Sequence, residues 1–200
     1  MFDIEKIIIV IVTYFILYLI WVFYQERNHS FVKSKIDGNS YRVRNLNDKV
    51  DQKTADLIAK IVKKINLLIK HLEKTFPDDE RTILLTTRFD PKNITEGNGE
   101  KNVTSYSINK GEKIVLCLRN RDDNTKLIDL NTILFVVIHE LGHVISKSIG
   151  HTDEFWDNFK WLLDEAINIG IYQYEDYDIN PVKYCGMTIT STVAENPHNK

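Results

Sequence analysis

The segment 130–143, LNTILFVVIHELGH, sets two histidines four residues apart at the end of a nearly unbroken apolar stretch, and this pattern restricts the fold more than any other in the chain. On a helix, residues four apart are separated by about 400°, so His139 and His143 project from one face a single turn apart and can take two corners of one metal's tetrahedron. Glu140 is rotated roughly 100° from His139, which suits a residue that touches a metal-bound water and not the metal. The apolar residues from Leu130 to Ile138 require the helix to be buried, and Asp129 or Asn131 is available to cap it.

A catalytic zinc takes three protein ligands and keeps one position open, so a third donor is needed. Of the six histidines, His139, His143 and His151 fall close together, whereas His29, His71 and His198 are isolated. His151 lies eight residues past His143, which on an unbroken helix would swing it about 80° off the ligand face. Gly150 resolves this: as a left-handed cap it lets the helix stop at Ile149 and the chain turn back toward the metal. The candidate set is one Zn²⁺ held by His139, His143 and His151, with Glu140 as the catalytic residue. His71, late in a helical stretch, reads instead as a surface residue or a partner of the helix dipole.

A second constraint is Ile7 to Tyr24, eighteen residues without a charge, at the lower end of what spans a bilayer. Tyr18, Trp21 and Tyr24 mark its far end as an aromatic belt would. A cleaved signal peptide would have a shorter apolar region followed by small residues, whereas Gln25-Glu26-Arg27 follows here. Residues 1–25 therefore read as an uncleaved membrane anchor, with the membrane contacted through residues 7–24. Arg27, Lys33, Lys35, Arg42 and Arg44 follow the span, against Lys6 before it, which places the remainder on the cytosolic side or the matching interior of a particle or organelle. Cys117 and Cys185 are far apart, so free thiols in a reducing compartment are the simpler inference. Sequons at Asn28, Asn93 and Asn102 would suit a lumenal domain but are expected by chance in an Asn-rich chain.

Residues 26–46, polar and basic, read as a juxtamembrane linker whose cations can rest on anionic headgroups. A helix capped by Asp48 or Asp51 follows, with Leu57, Ile58, Ile61, Val62, Ile65, Leu68, Ile69 and Leu72 at helical spacing until Phe76-Pro77 ends it. Asp78-Asp79-Glu80 opens a short helix that runs through Phe89. Val103–Ile108 and Lys113–Leu118, joined by Asn109-Lys110-Gly111-Glu112, form a hairpin, and Lys113–Arg119 is the candidate cleft-edge strand on which an extended peptide would add. From Thr152 or Asp153 a helix runs to about Ile169 and turns Phe155, Trp156, Phe159, Leu162, Leu163 and Ala166 inward, the aromatic pair packing beneath the metal. Tyr172, Tyr174, Tyr177 and Tyr184 are candidate oxyanion donors. Met187 is a candidate turn under the metal, and Asp153 and Glu154 are candidate partners of the histidines. The catalytic domain is predicted over residues 47–190, with 191–200 as a flexible tail.

Leu116-Cys117-Leu118-Arg119-Asn120-Arg121, the acidic turn at Asp122-Asp123, the helix with His139-Glu140-Leu141-Gly142-His143, and then Gly150-His151 with Phe155-Trp156 resemble the WLM metallopeptidase family. Its members are relatives of the SprT and Spartan proteases, which degrade proteins crosslinked to DNA. The likeness spans roughly Val103 to Ala166. It implies an α+β, zincin-like metallopeptidase fold, with a small, mostly antiparallel sheet packed on the active-site helix and its flanking helices. It also implies a protein or peptide substrate, His139, His143 and His151 as zinc ligands, and Glu140 as general base. In the family, five residues usually separate the second and third histidines; here seven intervene, from Val144 to Gly150.

A chain of 200 residues, 43% apolar and 27% charged, has the size of one domain with a short accessory segment. Its net charge of -2 does not support nucleic acid as a partner. The expectation is a membrane-anchored zinc metallopeptidase acting on proteins. Two alternatives stand beside it. One is an inactive zinc-stabilised scaffold tethered to a membrane, against which Glu140 and the three-ligand set argue. The other is a DNA-protein crosslink protease, which would need a basic or aromatic DNA surface.

Overall fold

The computed structural model describes residues 4–100 and 103–194; Asn102, His198 and the end of the predicted tail lie outside the described residues. Helix α1 (Ile4–Arg27) stands apart from the rest. Its window Ile4–Phe23 has a mean hydropathy of 2.5 and no part of it is buried. At 1.5 Å per residue its 24 residues extend about 36 Å, long and apolar enough to cross a membrane.

One residue after α1, the chain enters β1 (His29–Lys33), which pairs antiparallel with β2 (Ser40–Arg44) in the register Phe31↔Arg42. The segment expected to be a linker is thus a hairpin. The reason is an alternation that its basic composition concealed: Tyr41 and Val43 point inward and are buried, while Ser40, Arg42 and Arg44 take the other face.

The core is organised around α2 (Asp48–Thr75), whose stripe from Leu57 through Leu72 is buried as its spacing requires, with Ile69 partly exposed. Its cap is Asn47, which accepts a hydrogen bond from the Val50 amide at 3.0 Å, and not Asp48 or Asp51. Asp51 is drawn inward instead, to the guanidinium of Arg119 at 3.1 Å. Helix α3 (Glu80–Arg88) is capped by Asp79.

A three-stranded sheet follows, in the order β3 (Ile94–Glu96), β5 (Lys113–Leu116), β4 (Tyr106–Ile108). The β3–β5 pair is parallel and the β4–β5 hairpin antiparallel. Arg119, with a fully buried side chain, ties the sheet to α2 and β2. It donates to Asp51 and to Glu96 at 3.0 Å, and to the Arg44 carbonyl at 2.6 Å. Buried charge is tolerated here because its partners are also buried and bonded.

Helices α4 (Leu130–Ile145, capped by Asp129) and α5 (Asp153–Asn168, capped by Thr152) pack against each other through Gly142. A Cβ at that position would meet Phe155 at 3.1 Å and Phe159 at 3.2 Å, so the missing side chain permits the close approach. The hairpin of β6 (Val182–Tyr184) and β7 (Met187–Ile189) closes the domain. This is the α+β arrangement expected from the resemblance.

Candidate metal centre

Helix α4 carries His139, Glu140 and His143 in its last two turns, and α5 begins two residues after His151. The helix stops at Ile145, a turn earlier than Ile149. Ser146 adopts an extended conformation, and its hydroxyl folds back onto the Gly142 carbonyl at 2.8 Å. Gly150, with φ of +86°, supplies a left-handed turn, but within a loop and not as the helix cap.

The loop brings the three imidazoles together. Their ring centroids are 5.0 Å (His139 to His143), 5.0 Å (His139 to His151) and 4.9 Å (His143 to His151) apart. One ligand atom from each lies within 4.8 Å of the others, and Nε2 of His151 is 3.1 Å from Nε2 of His139. Tetrahedral zinc with Zn–N bonds of 2.0–2.1 Å sets its nitrogens roughly 3.4 Å apart. The donor atoms lie close enough to converge on one zinc ion, and three protein ligands would leave its fourth position open.

Phe155 forms the floor under the cluster. It is fully buried, stacks on His143 at 4.2 Å and meets His151 and His139 edge-on at 4.7 Å and 4.9 Å. Phe159 supports His139 at 5.1 Å. Trp156 does not turn inward as its place beside Phe155 suggested. It is 41% exposed and stacks on the outer face of His151 at 5.4 Å.

Burial, reinforced by the neighbouring imidazoles His143 and His151, pushes His139 down to about 3. Burial, then His151 and Lys110, push His143 down to about 4. Both rings are neutral near pH 7, the state in which imidazole can ligate. Glu140 is nearly buried, and burial raises its carboxyl to about 7 against an opposing hydrogen bond from the Ser107 backbone amide.

That hydrogen bond identifies the edge strand. Strand β5 lies between β3 and β4, so Lys113–Arg119 has no free edge for a peptide; both of its sides are already paired. The strand at the cleft is β4, whose Tyr106 and Ser107 line it with the preceding Ser105 and whose Ser107 amide points to Glu140. The cleft measures about 760 Å³. Opposite α4 it is bounded by Met187, Ile189 and Val193.

Met187 is half exposed on β7, so the buried floor is Phe155 and Phe159 and not a methionine turn. Of the four tyrosines, Tyr184 lines the cleft; Tyr172 and Tyr177 are buried against Phe135. The Tyr184 hydroxyl donates to the Cys117 carbonyl at 3.0 Å and lies 2.6 Å from Ser105 Oγ.

Cys117 and Cys185 form a disulfide, which corrects the reading of two free thiols. Separation along the chain misled: the end of β5 and the β6–β7 turn meet with Cα atoms 6.3 Å apart, inside bridging range. The bridge also removes the support that free thiols lent to a reducing compartment.

The family model of the WLM domain matches residues 41–198. The chain belongs to the WLM domain family. An uncharacterized protein of Acanthamoeba polyphaga mimivirus is 33% identical over 164 residues, covering 80% of this chain and 82% of that one. Uncharacterized proteins of Invertebrate iridescent virus 6 and Invertebrate iridescent virus 3 are 39% and 48% identical over 69 residues, 34% of this WLM chain and 38% and 42% of theirs. Among solved structures, Wss1 from Saccharomyces cerevisiae superposes with a TM-score of 0.47 at 21% identity, covering 60% of this chain and 81% of that one. Membership of the WLM family supports a protease-like function. The match begins at Tyr41, inside β2, so the family's extent takes in the second strand of the first hairpin.

Proposed function

We propose that this WLM protein is a zinc metallopeptidase, anchored to a membrane by α1, that hydrolyses peptide bonds in protein substrates. The observation that carries this reading is the convergence of three imidazole donors beside a buried carboxyl at the floor of an open cleft. His139, His143 and His151 would hold the ion. When bound, zinc polarises the scissile carbonyl and lowers the pKa of water toward 7.

Glu140 takes the proton of the attacking water and passes it to the leaving amine. Among the described residues it is the one carboxyl that lines the cleft, beside the imidazoles, the place a group that both accepts and donates the proton must take. The Ser107 amide keeps the carboxyl aimed at the cleft, and the free edge of β4 offers backbone groups on which an extended peptide can pair. Arg27 at the end of α1 and Lys33, Lys35, Arg42 and Arg44 after it favour a cytosolic catalytic domain, and that bias alone now carries the orientation.

The test is Glu140→Gln in the full chain in detergent. Cleavage of an unfolded protein should fall by about 10²- to 10⁴-fold, the share of a positioned acid-base, while one zinc per chain is retained. Undiminished cleavage by the variant rejects Glu140 as the base.

A further inference from the structure

His139 and His143 are fixed by a buried helix, but His151 is exposed and follows a loop with no regular structure. Among the described residues its only hydrogen-bond contact is with His139, so none of them donates to or accepts from its other ring nitrogen. Metal-ligating histidines are ordinarily steered through that nitrogen. Here the steering must come from Trp156, Phe155 and the backbone that delivers the ring.

That backbone, residues 146–150, is gripped from two sides by opposite charges. Lys110 Nζ donates to the Ser146 carbonyl at 2.7 Å and the Ser148 carbonyl at 2.5 Å, with the Lys147 carbonyl at 3.5 Å. The Glu154 carboxylate accepts from the Lys147 amide at 2.7 Å and the Ser148 amide at 2.9 Å, one oxygen to each. Successive peptide groups are thus held by a cation on their carbonyls and an anion on their amides.

The tip that presents Lys110 is shaped for this. Asn109 and Lys110 have φ of 46° and 56°, a region that non-glycine residues enter only where surroundings compel them. Gly111, at φ of 112°, lies so close to the end of α3 and to α4 that a Cβ would meet the Arg88 carbonyl at 2.9 Å and Val144 at 3.0 Å. The same tip lies at the end of β4, the strand whose Ser107 holds Glu140.

We propose that Lys110 and Glu154 are positioning residues for the third ligand: together they fix residues 146–149 so that the His151 imidazole arrives beside those of α4. This rests on the three-histidine reading of the metal centre. Neither residue touches the ion, so the effect is on how well the ligand set is preorganised.

The experiment is zinc titration of the chelator-stripped full chain against a chromophoric competitor, with thermal unfolding of the metal-free protein alongside. Lys110→Met and Glu154→Gln should each weaken zinc binding by about 10- to 100-fold, the range for a lost outer partner. Both should speed zinc loss to excess chelator. Lys110→Arg should recover most of the affinity, and the double variant should lose less than the product of the two singles, because both act on one loop. The metal-free unfolding midpoint should fall by only a few degrees, the size of one or two lost hydrogen bonds, whereas a merely structural role would lower the midpoint and leave zinc binding as in the parent. Should Lys110→Met fail to fold, the isosteric Glu154→Gln still reads the outcome. Parent-like zinc affinity in Glu154→Gln and Lys110→Met, while His151→Ala binds weakly, overturns the positioning role alone. Zinc binding by His151→Ala as tight as the parent's overturns the metal centre itself.

Discussion

On one side of the cleft, the three imidazoles and the rings beneath them come from the stretch between His139 and Phe159, on two helices packed through Gly142 and the loop that joins them. On the other side, Tyr184 reaches Ser105 and the Cys117 carbonyl across 79 and 67 residues, and the Cys117–Cys185 bridge spans 68. The helical side gains its geometry from local spacing and from dense burial around two phenylalanines. The hairpin side depends on a few tie points between distant segments, each separable from the rest. The two sides should therefore fail differently, the first by losing metal and stability together, the second by losing the shape of the cleft with the metal retained.

The strongest blow to the helical side is Phe155→Ala. This fully buried ring contacts all three imidazoles, and its truncation should cost about 3–5 kcal/mol in denaturant unfolding. Zinc affinity should fall with it, because the cavity lets α5 and the start of the His151 loop relax. A loss of stability with zinc affinity intact would show that the ligands are held by their own backbones, and the proposed contrast between the two sides would lose its basis.

Removing the disulfide with Cys117→Ala and Cys185→Ala should cost somewhat less, about 2–4 kcal/mol. Its more informative consequence is functional. Met187 and Ile189 line the cleft from the tethered hairpin, with Val193 four residues beyond it. Cleavage of protein substrates should weaken mainly through a raised KM, while zinc titration matches the parent. Zinc affinity that drops along with KM would mean that the hairpin also supports the metal, and the two sides would then not be separable.

The same contrast divides what the residues reveal by themselves from what they do not. The spacing of His139, Glu140 and His143 is a helical period, and the stripe Leu57–Leu72 on α2 is another, so both are legible in the sequence. The pairing of Cys117 with Cys185 is not, because nothing local records that β5 and the β6–β7 turn converge. The same holds for Trp156, whose type suggests burial but whose position on α5 places it over the outer face of His151. The choice of β4 over β5 as the edge depends on β3, a parallel strand of three residues with no visible alternation. The hairpin at residues 29–44 is hidden in basic composition although Tyr41 and Val43 carry its alternation. Local periods are encoded in neighbours; edges, bridges and tie points are set by the assembled chain.

The smallest expected effect tests the hairpin side at a single atom. Tyr184→Phe removes a hydroxyl that donates to the Cys117 carbonyl and meets Ser105, whose own Oγ accepts from the Cys117 amide at 3.1 Å. Losing one such bond should cost about 1 kcal/mol. Because the proton is committed to that carbonyl, the hydroxyl has no donor left for a reacting oxyanion, and kcat should change by less than about tenfold. Loss of a true oxyanion donor costs about 10²- to 10³-fold in kcat. A fall of that size with stability little changed would assign Tyr184 to the chemistry, and the hairpin would then be part of the reactive centre in place of a tethered boundary.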